Sequence, residues 1–359
     1  MTYIVYFILL LLLLIFERAM QSERNIFRCI IPLVYILFVG LRGANVGVDT
    51  SVYYDHYYTF GKWGCDFVEV GFDWLNKFFY NQGVSQAPFF VVCSALCIIP
   101  VCYSINYRLK RNEYSIFMLL FCTVTFVSLC NGMRQNIACG ILFFLLLWYD
   151  DSNLKLACKY SIFIFGVLFA SLFHASVLLL IPVVLCKKIT LNDKYYILIY
   201  MLSFMFVYVN ISSFIPEIQI GLRDYSSYVG SSFTNQSASS LGFVVISIRN
   251  FLTLLLMIGY GMFRKYKLFS NMVVLMFVLI NIGYNIPLLG RMVMYFDFFF
   301  ILIVSKMVLR KASQYKQLCN ILLLIIIFVI TVYSFVSPSN RLLPYNFYWE
   351  TIDYMKYLK

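Results

Sequence analysis

Long apolar runs recur along this chain, separated by short polar gaps. The runs lack the strict alternation of a half-buried strand, and each is long enough to wind into a helix. A helix needs roughly 20 residues to cross about 30 Å of hydrocarbon, and in lipid each helix satisfies its own backbone polar groups. The pattern predicts an all-α, polytopic integral membrane helical bundle with about twelve transmembrane helices. They lie near residues 2–16, 28–41, 88–106, 115–131, 133–149, 160–173, 175–186, 195–210, 242–263, 268–285, 287–305 and 318–336. No internal repeat or soluble domain is visible, so residues 1–359 read as a single membrane domain.

The polar gaps differ in kind. Residues 42–87 and 211–241 are long loops. In the first, Phe67, Val70, Trp74 and Phe78 share one helical face, while Asp66, Glu69, Asp73 and Lys77 point elsewhere. This predicts a helix lying in the membrane interface. The second is rich in Ser, Gly and Asn, a loop suited to cover a site. The run 160–186 is either one long helix or a tight hairpin with His174 at its tip, and charge decides between them. Lys and Arg favour cytoplasmic loops. With 17–27 inside and a hairpin at His174, eighteen of the 28 basic residues fall inside. A single helix there removes the bias, so the hairpin is preferred. The first run lacks a basic flank and an A-x-A-like site, so no cleavable leader is expected. Both termini are expected outside the cytoplasm.

Composition agrees. The chain is 62% hydrophobic and 12% charged, with mean hydropathy +0.83; soluble domains carry about 25% charged residues. Most of the 11 cysteines lie inside apolar runs and read as small hydrophobes, not a disulfide framework. With two histidines, His56 and His174, and no Cys/His cluster, neither a metal site nor a cofactor is expected. Nucleic acid is not expected as a partner.

The basic residues that break the inside bias carry the candidate chemistry. Among them Arg42, Arg134, Arg249, Arg291 and Arg223 sit at or near helix ends on the outer side. Arginine offers a planar fork of donors suited to phosphate, and such a group at one face points to an anionic ligand; snorkelling or local ion pairing is the plainer account. In "CNGMRQNIACG" (130–140) two apolar runs meet without room for a loop, so Arg134 and Gln135 begin a helix at the membrane edge. Polar groups at that depth face a cavity or a partner. His174 can accept and return a proton. Asp49 is the second candidate base, or simply pairs with Arg42. Asp297 lies inside an apolar run and needs a partner. Gly40 and Gly43 are expected to bend the chain around Arg42 and Gly47 to permit a second close approach before Asp49, with Tyr53 and the neighbouring tyrosines offering faces to sugars.

"LRGANVGVDTSVYYDHY", "NGMRQNIACGILFF", "SLFHASVLLLIP", "GRMVMYF" and the closing "LLPYNFYW" stand in the order found in the EpsG-like polysaccharide polymerases, which this chain resembles. The resemblance implies a glycosyltransferase-C-like bundle and a Wzy-type O-antigen polymerase of the bacterial inner membrane, acting in lipopolysaccharide biosynthesis. Such an enzyme joins undecaprenyl-pyrophosphate-linked repeat units by glycosyl transfer at the periplasmic face, among membrane lipids, with a chain-length regulator and a flippase as companions. On that reading His174 and Asp49 are the candidate catalytic residues. Arg42, Arg134, Gln135, Arg291, Arg249, Arg223 and Tyr53 are candidates for binding substrate and pyrophosphate without a metal. An O-antigen ligase, another lipid-linked-sugar glycosyltransferase or a polysaccharide flippase or transporter is the alternative.

Overall fold

The computed structural model describes residues 2–20, 22–64, 69–208, 240–284, 291–310 and 313–350. Arg223, Phe67 and nearly all of the 211–241 loop lie outside these residues. Among the described residues the architecture is all-helical, and the one extended pairing is an isolated bridge between Arg42 and Phe347. Each predicted apolar run is helical over most of its described length. Thr2–Ala19, Gln86–Asn106, Leu241–Gly259 and Gln314–Val336 are long and apolar enough to cross a membrane. Many large apolar side chains on them point outward, among them Ile4, Val5, Ile8, Ile321, Ile325 and Phe328. Outward apolar faces of this extent are stable only against lipid. The chain is a membrane protein.

The contacts divide it into two units, residues 1–178 with 331–359, and residues 179–330. The first contains α1 (Thr2–Ala19), α2 (Arg24–Gly40), α3 (Thr50–Trp63), α4 (Val70–Asn81), α5 (Gln86–Asn106), α6 (Arg111–Val124), α7 (Phe126–Asn131), α8 (Met133–Asp151) and α9 (Leu156–Ser171). Helix α8 is its centre, with residues Gln135–Gly140 all buried. Gly140 allows α8 to touch α5: a Cβ there stands 2.3 Å from the Cys97 carbonyl oxygen. Gly40 does the same for α2, where a Cβ stands 2.6 Å from Val91 Cα. Gly40 is the last residue of α2 and serves close packing, which corrects the expectation that it bends the chain. That task falls to Gly47, at φ 94°, where a Cβ meets Asn131 Oδ1 at 2.8 Å.

One end of this unit carries a buried ion pair. Arg28 Nε donates to Glu17 Oε1 at 3.0 Å, and Arg28 Nη1 donates to the Asn106 carbonyl at 2.8 Å. The pair joins the end of α1, the start of α2 and the end of α5. At the other end the C-terminal segment folds back onto the α2 exit. Tyr348 N donates to the Leu41 carbonyl at 2.9 Å and Gly43 N to Asn346 O at 2.7 Å. An aromatic layer backs this seam: Tyr6 stacks on Phe38 at 3.9 Å and Phe38 on Tyr345 at 4.4 Å.

Helix α3 was not foreseen. The loop 42–87 contains two helices, because Tyr53, Tyr54 and Tyr57 turn inward around Phe72, Phe89 and Phe90. Burial of a phenol needs a partner for its hydroxyl, and backbone supplies it: Tyr54 donates to the Arg42 carbonyl at 2.9 Å and Tyr57 to Val84 O at 2.7 Å. These three tyrosines are core, not open stacking faces. Helix α4 carries the expected apolar side, with Val70, Trp74 and Phe78 exposed along it.

After α9 the chain breaks at His174 and continues as a 3-10 helix over Ala175–Lys187. The single long helix is excluded. Pro182 denies an α-helical ladder one donor in this segment. The 3-10 rise of about 2.0 Å per residue makes this arm longer than an α-helical one would be.

The second unit holds α10 (Asp193–Ser203), α11 (Met205–Tyr208), α12 (Ser240–Gly259), α13 (Met262–Lys265), α14 (Lys267–Ile282) and α15 (Asp297–Val308); α16 (Gln314–Val336) begins within it. Helix α15 is buried from Phe298 through Met307. Asn271 ties α14 to the end of the 3-10 segment, donating to Cys186 O at 2.7 Å and Ile189 O at 3.0 Å.

The α5–α8 contact gives the first prediction. Gly140→Ala is expected to lower thermal stability in detergent by about 1–3 kcal/mol, because a backbone oxygen cannot step aside. Gly259→Ala, whose Cβ meets only a lysine side chain at 3.4 Å, is expected to be tolerated. Equal melting by size-exclusion thermostability would contradict the close approach.

Candidate functional site

The site is assembled at the end of the first unit where α2 and α9 finish and α5 and α8 start. Gly132, at φ −155° and ψ 49°, separates α7 from α8, so Arg134 and Gln135 sit in the first turn of α8 as the sequence predicts. Asn136 Nδ2 secures the break by donating to Ser128 O at 2.6 Å and Gly132 O at 2.9 Å. Asn131 Oδ1 accepts from Val48 N at 2.6 Å, holding the α2–α3 turn against it. The two asparagines are therefore structural, and Gln135 is buried beside them.

Arg134 meets a residue that the sequence reading passed over. Its Nη1 donates to Glu69 Oε2 at 2.7 Å. Glu69 Oε1 accepts from Ala175 N at 3.3 Å and lies 3.3 Å from His174 Nδ1, without the alignment of a formed hydrogen bond. The Glu69 side chain is 7% exposed, against 24% for Arg134 and 21% for His174. A carboxylate so far out of water needs cationic or N–H partners, and here it has both. Glu69 occupies the N-cap of α4, yet its side chain makes no capping bond to that helix. Backbone contacts hold the same junction, with Gly71 N donating to Leu172 O at 2.9 Å.

Tyr53 joins the cluster from α3 and interacts electrostatically with Arg134. Burial raises the Tyr53 phenol above its usual pKa, with the Asp49 charge adding to this and Arg134 opposing it. His56 is pushed the other way, by burial and by Arg134, so its imidazole is held neutral. Arg134 also stands 5.9 Å from the Phe72 ring centroid. The result is a half-open cation and a half-open imidazole joined by a nearly dry carboxylate. Such a group can bind a phosphate and take up a proton within a short distance.

The other candidates lie elsewhere. Arg42 is fully buried, and its carbonyl accepts from the Tyr54 hydroxyl at 2.9 Å. Its Nε donates to Thr50 Oγ1 at 2.9 Å and its Nη1 to Val39 O at 2.7 Å, with its guanidinium 5.1 Å from the Phe90 centroid. This placement differs from the expected turn over an open mouth, because Gly43, paired with Asn346, carries the chain inward instead. Asp49 precedes α3 and is partly exposed. In the second unit, Arg249 donates to Asn250 Oδ1 at 2.8 Å and lies 4.7 Å from the Phe300 centroid. Asp297, whose partner the sequence left open, interacts electrostatically with Arg249. Arg291 is exposed.

The comparisons bear on all of this. The EpsG family model matches residues 25–347. The chain belongs to the EpsG family. No curated protein and no solved structure matches it. Membership gives the chain a polysaccharide polymerase-like function, and the match spans every candidate residue above. No local signal marks Glu69, because its partners lie 65 and 106 residues away in sequence.

Arg42 gives the second prediction. Thr50→Val removes the acceptor of a buried guanidinium and is expected to cost about 1–3 kcal/mol in detergent melts. Thr59→Val, whose hydroxyl bonds only its own helix at Asp55 O on an exposed face, serves as the control and is expected to be silent. Equal effects would contradict the buried Arg42–Thr50 bond.

Proposed function

We propose that this EpsG-family protein is an O-antigen polymerase of the bacterial inner membrane. It joins undecaprenyl-pyrophosphate-linked repeat units by glycosyl transfer at the periplasmic face. The observation that carries the reading is the Arg134–Glu69–His174 cluster. The growing glycan on its lipid pyrophosphate is the donor, and a single lipid-linked repeat unit is the acceptor.

The steps follow from the groups. The acceptor hydroxyl oxygen forms a bond to the donor's anomeric carbon as its proton passes to His174. The bond from that carbon to the pyrophosphate oxygen breaks, and its electron pair leaves with undecaprenyl pyrophosphate. Arg134 stabilises the charge that develops there, which counts for most in a low-dielectric site. Arg42 is proposed to add positive charge for the pyrophosphate, and Asp49 is the second candidate base. Arg249, Arg291 and Arg223 in the second unit are kept as proposed binders of anionic groups, and Tyr53 and Gln135 are proposed to support Arg134 in the first. The orientation is supported by the placement of basic loops: Arg24, Arg28, Arg108 and Arg111 cluster at helix ends away from Arg134. The lipid tails enter sideways from the bilayer. A chain-length regulator and a flippase are the proposed companions.

The test is deletion of the gene followed by electrophoresis of the surface polysaccharide. Single-repeat material is expected, with the long ladder restored by the wild-type chain. Arg134→Ala and His174→Gln are expected to leave single-repeat product at normal membrane levels. Arg134→Lys should restore extension only in part, since a point charge cannot make two parallel bonds to phosphate. A normal ladder in the deletion strain would overturn the proposal, and loss of all capped core would point to a ligase.

A further inference from the structure

The carboxylate between the two proposed working groups has a task of its own. Its helix does not use it, since the Glu69 side chain makes no capping bond to α4. Its burial does not serve solubility. Its two oxygens are divided, Oε2 to Arg134 at 2.7 Å and Oε1 toward His174 Nδ1 and Ala175 N at 3.3 Å each. The groups around the imidazole are thus Glu69 ahead of α4, Arg134 from α8, and Tyr53 from α3 beside Arg134.

We propose that Glu69 is the positioning residue of glycosyl transfer, holding His174 by Nδ1 so that Nε2 faces the acceptor hydroxyl, and holding Arg134 until pyrophosphate engages it. The inference rests on the reading of His174 as the base. An imidazole that takes a proton at Nε2 becomes a cation, and a carboxylate at Nδ1 stabilises that cation. The long, misaligned Nδ1 contact is the form expected without substrate, since catalytic hydrogen bonds commonly tighten only on binding. Arg134 has donors beyond the single Nη1 used on Glu69. An incoming pyrophosphate therefore shares the guanidinium with Glu69 or takes it over, and Glu69 is then free to close on His174. Phosphate binding and base alignment are coupled through one side chain.

The test uses membranes carrying the full-length chain, with lipid-linked repeat units extracted from the deletion strain as substrate. Initial rates per molecule of chain are measured against substrate concentration. Glu69→Gln is expected to lower turnover about 100-fold without raising KM, because the freed Arg134 still binds phosphate. Glu69→Asp, which keeps the charge, should retain more turnover than Glu69→Gln. The double variant Glu69→Gln/His174→Gln should be no slower than His174→Gln alone, since residues acting as a unit are not additive. Wild-type turnover in Glu69→Gln, or multiplying losses in the double variant, would overturn the positioning role while leaving His174 as base. Wild-type turnover in His174→Gln would overturn the base and the positioning role together. Should Glu69→Gln be depleted from the membrane, Glu69→Asp carries the test: lowered turnover at unchanged KM is expected, and wild-type turnover overturns the role.

Discussion

A carboxylate cannot sit almost dry beside hydrocarbon unless something cationic or N–H-rich meets it, and the arrangement around Glu69 follows from that constraint. Its oxygens bind the first turn of α8 and the start of the 3-10 segment after α9. Backbone bonds from Gly71 and Phe72 to Leu172 fasten the same junction. The start of α4 is thereby locked against two segments that the chain reaches much later. Breaking the pair by removing one partner leaves an uncompensated charge, whereas replacing both by apolar groups can be nearly neutral. An ion pair kept in such a place, with Arg134 and the neighbouring His174 partly open to solvent, is better explained by function than by stability.

The helices were readable because apolar period and length are local properties. The α8 start at Arg134 was readable too, since two apolar runs meeting without a loop leave a polar pair only one place to go. The break at His174 came from charge balance between loops, and Gly47 from its place beside Asp49. What could not be read depended on long-range contact. Tyrosine suits a membrane interface or a core equally well, and Tyr53, Tyr54 and Tyr57 go inward because backbone carbonyls of Arg42 and Val84 wait for two of their hydroxyls. Nothing in the local pattern separates Glu69 from Asp73, yet Asp73 pairs with Lys77 one turn away and Glu69 with Arg134 across the unit. Arg42 looked like an exposed ligand group because it stands at the end of an apolar run against the basic-inside bias; in space its neighbours are Thr50, Val39 and Phe90.

The family match and the geometry support each other at different scales. The match covers residues 25–347 and gives a polysaccharide polymerase-like function. The geometry narrows attention to three side chains at one helix end. Glycosyl transfer from a lipid pyrophosphate requires charge stabilisation at the leaving group and a proton acceptor at the attacking hydroxyl, and Arg134 and His174 offer one each. Arg42 is fully buried and the Arg134 side chain is 24% exposed; charge held away from water acts more strongly than charge within it.

The central claim is that the Glu69–Arg134 pair belongs to the chemistry and is not merely a clasp between α4 and α8. Exchanging the charges, Glu69→Arg with Arg134→Glu, tests it directly. The exchange is expected to restore membrane level and melting temperature relative to either single reversal, while the surface polysaccharide stays at single-repeat length. Recovery of long chains in the exchanged protein would contradict the claim, since it would show that only the attraction between the two side chains matters.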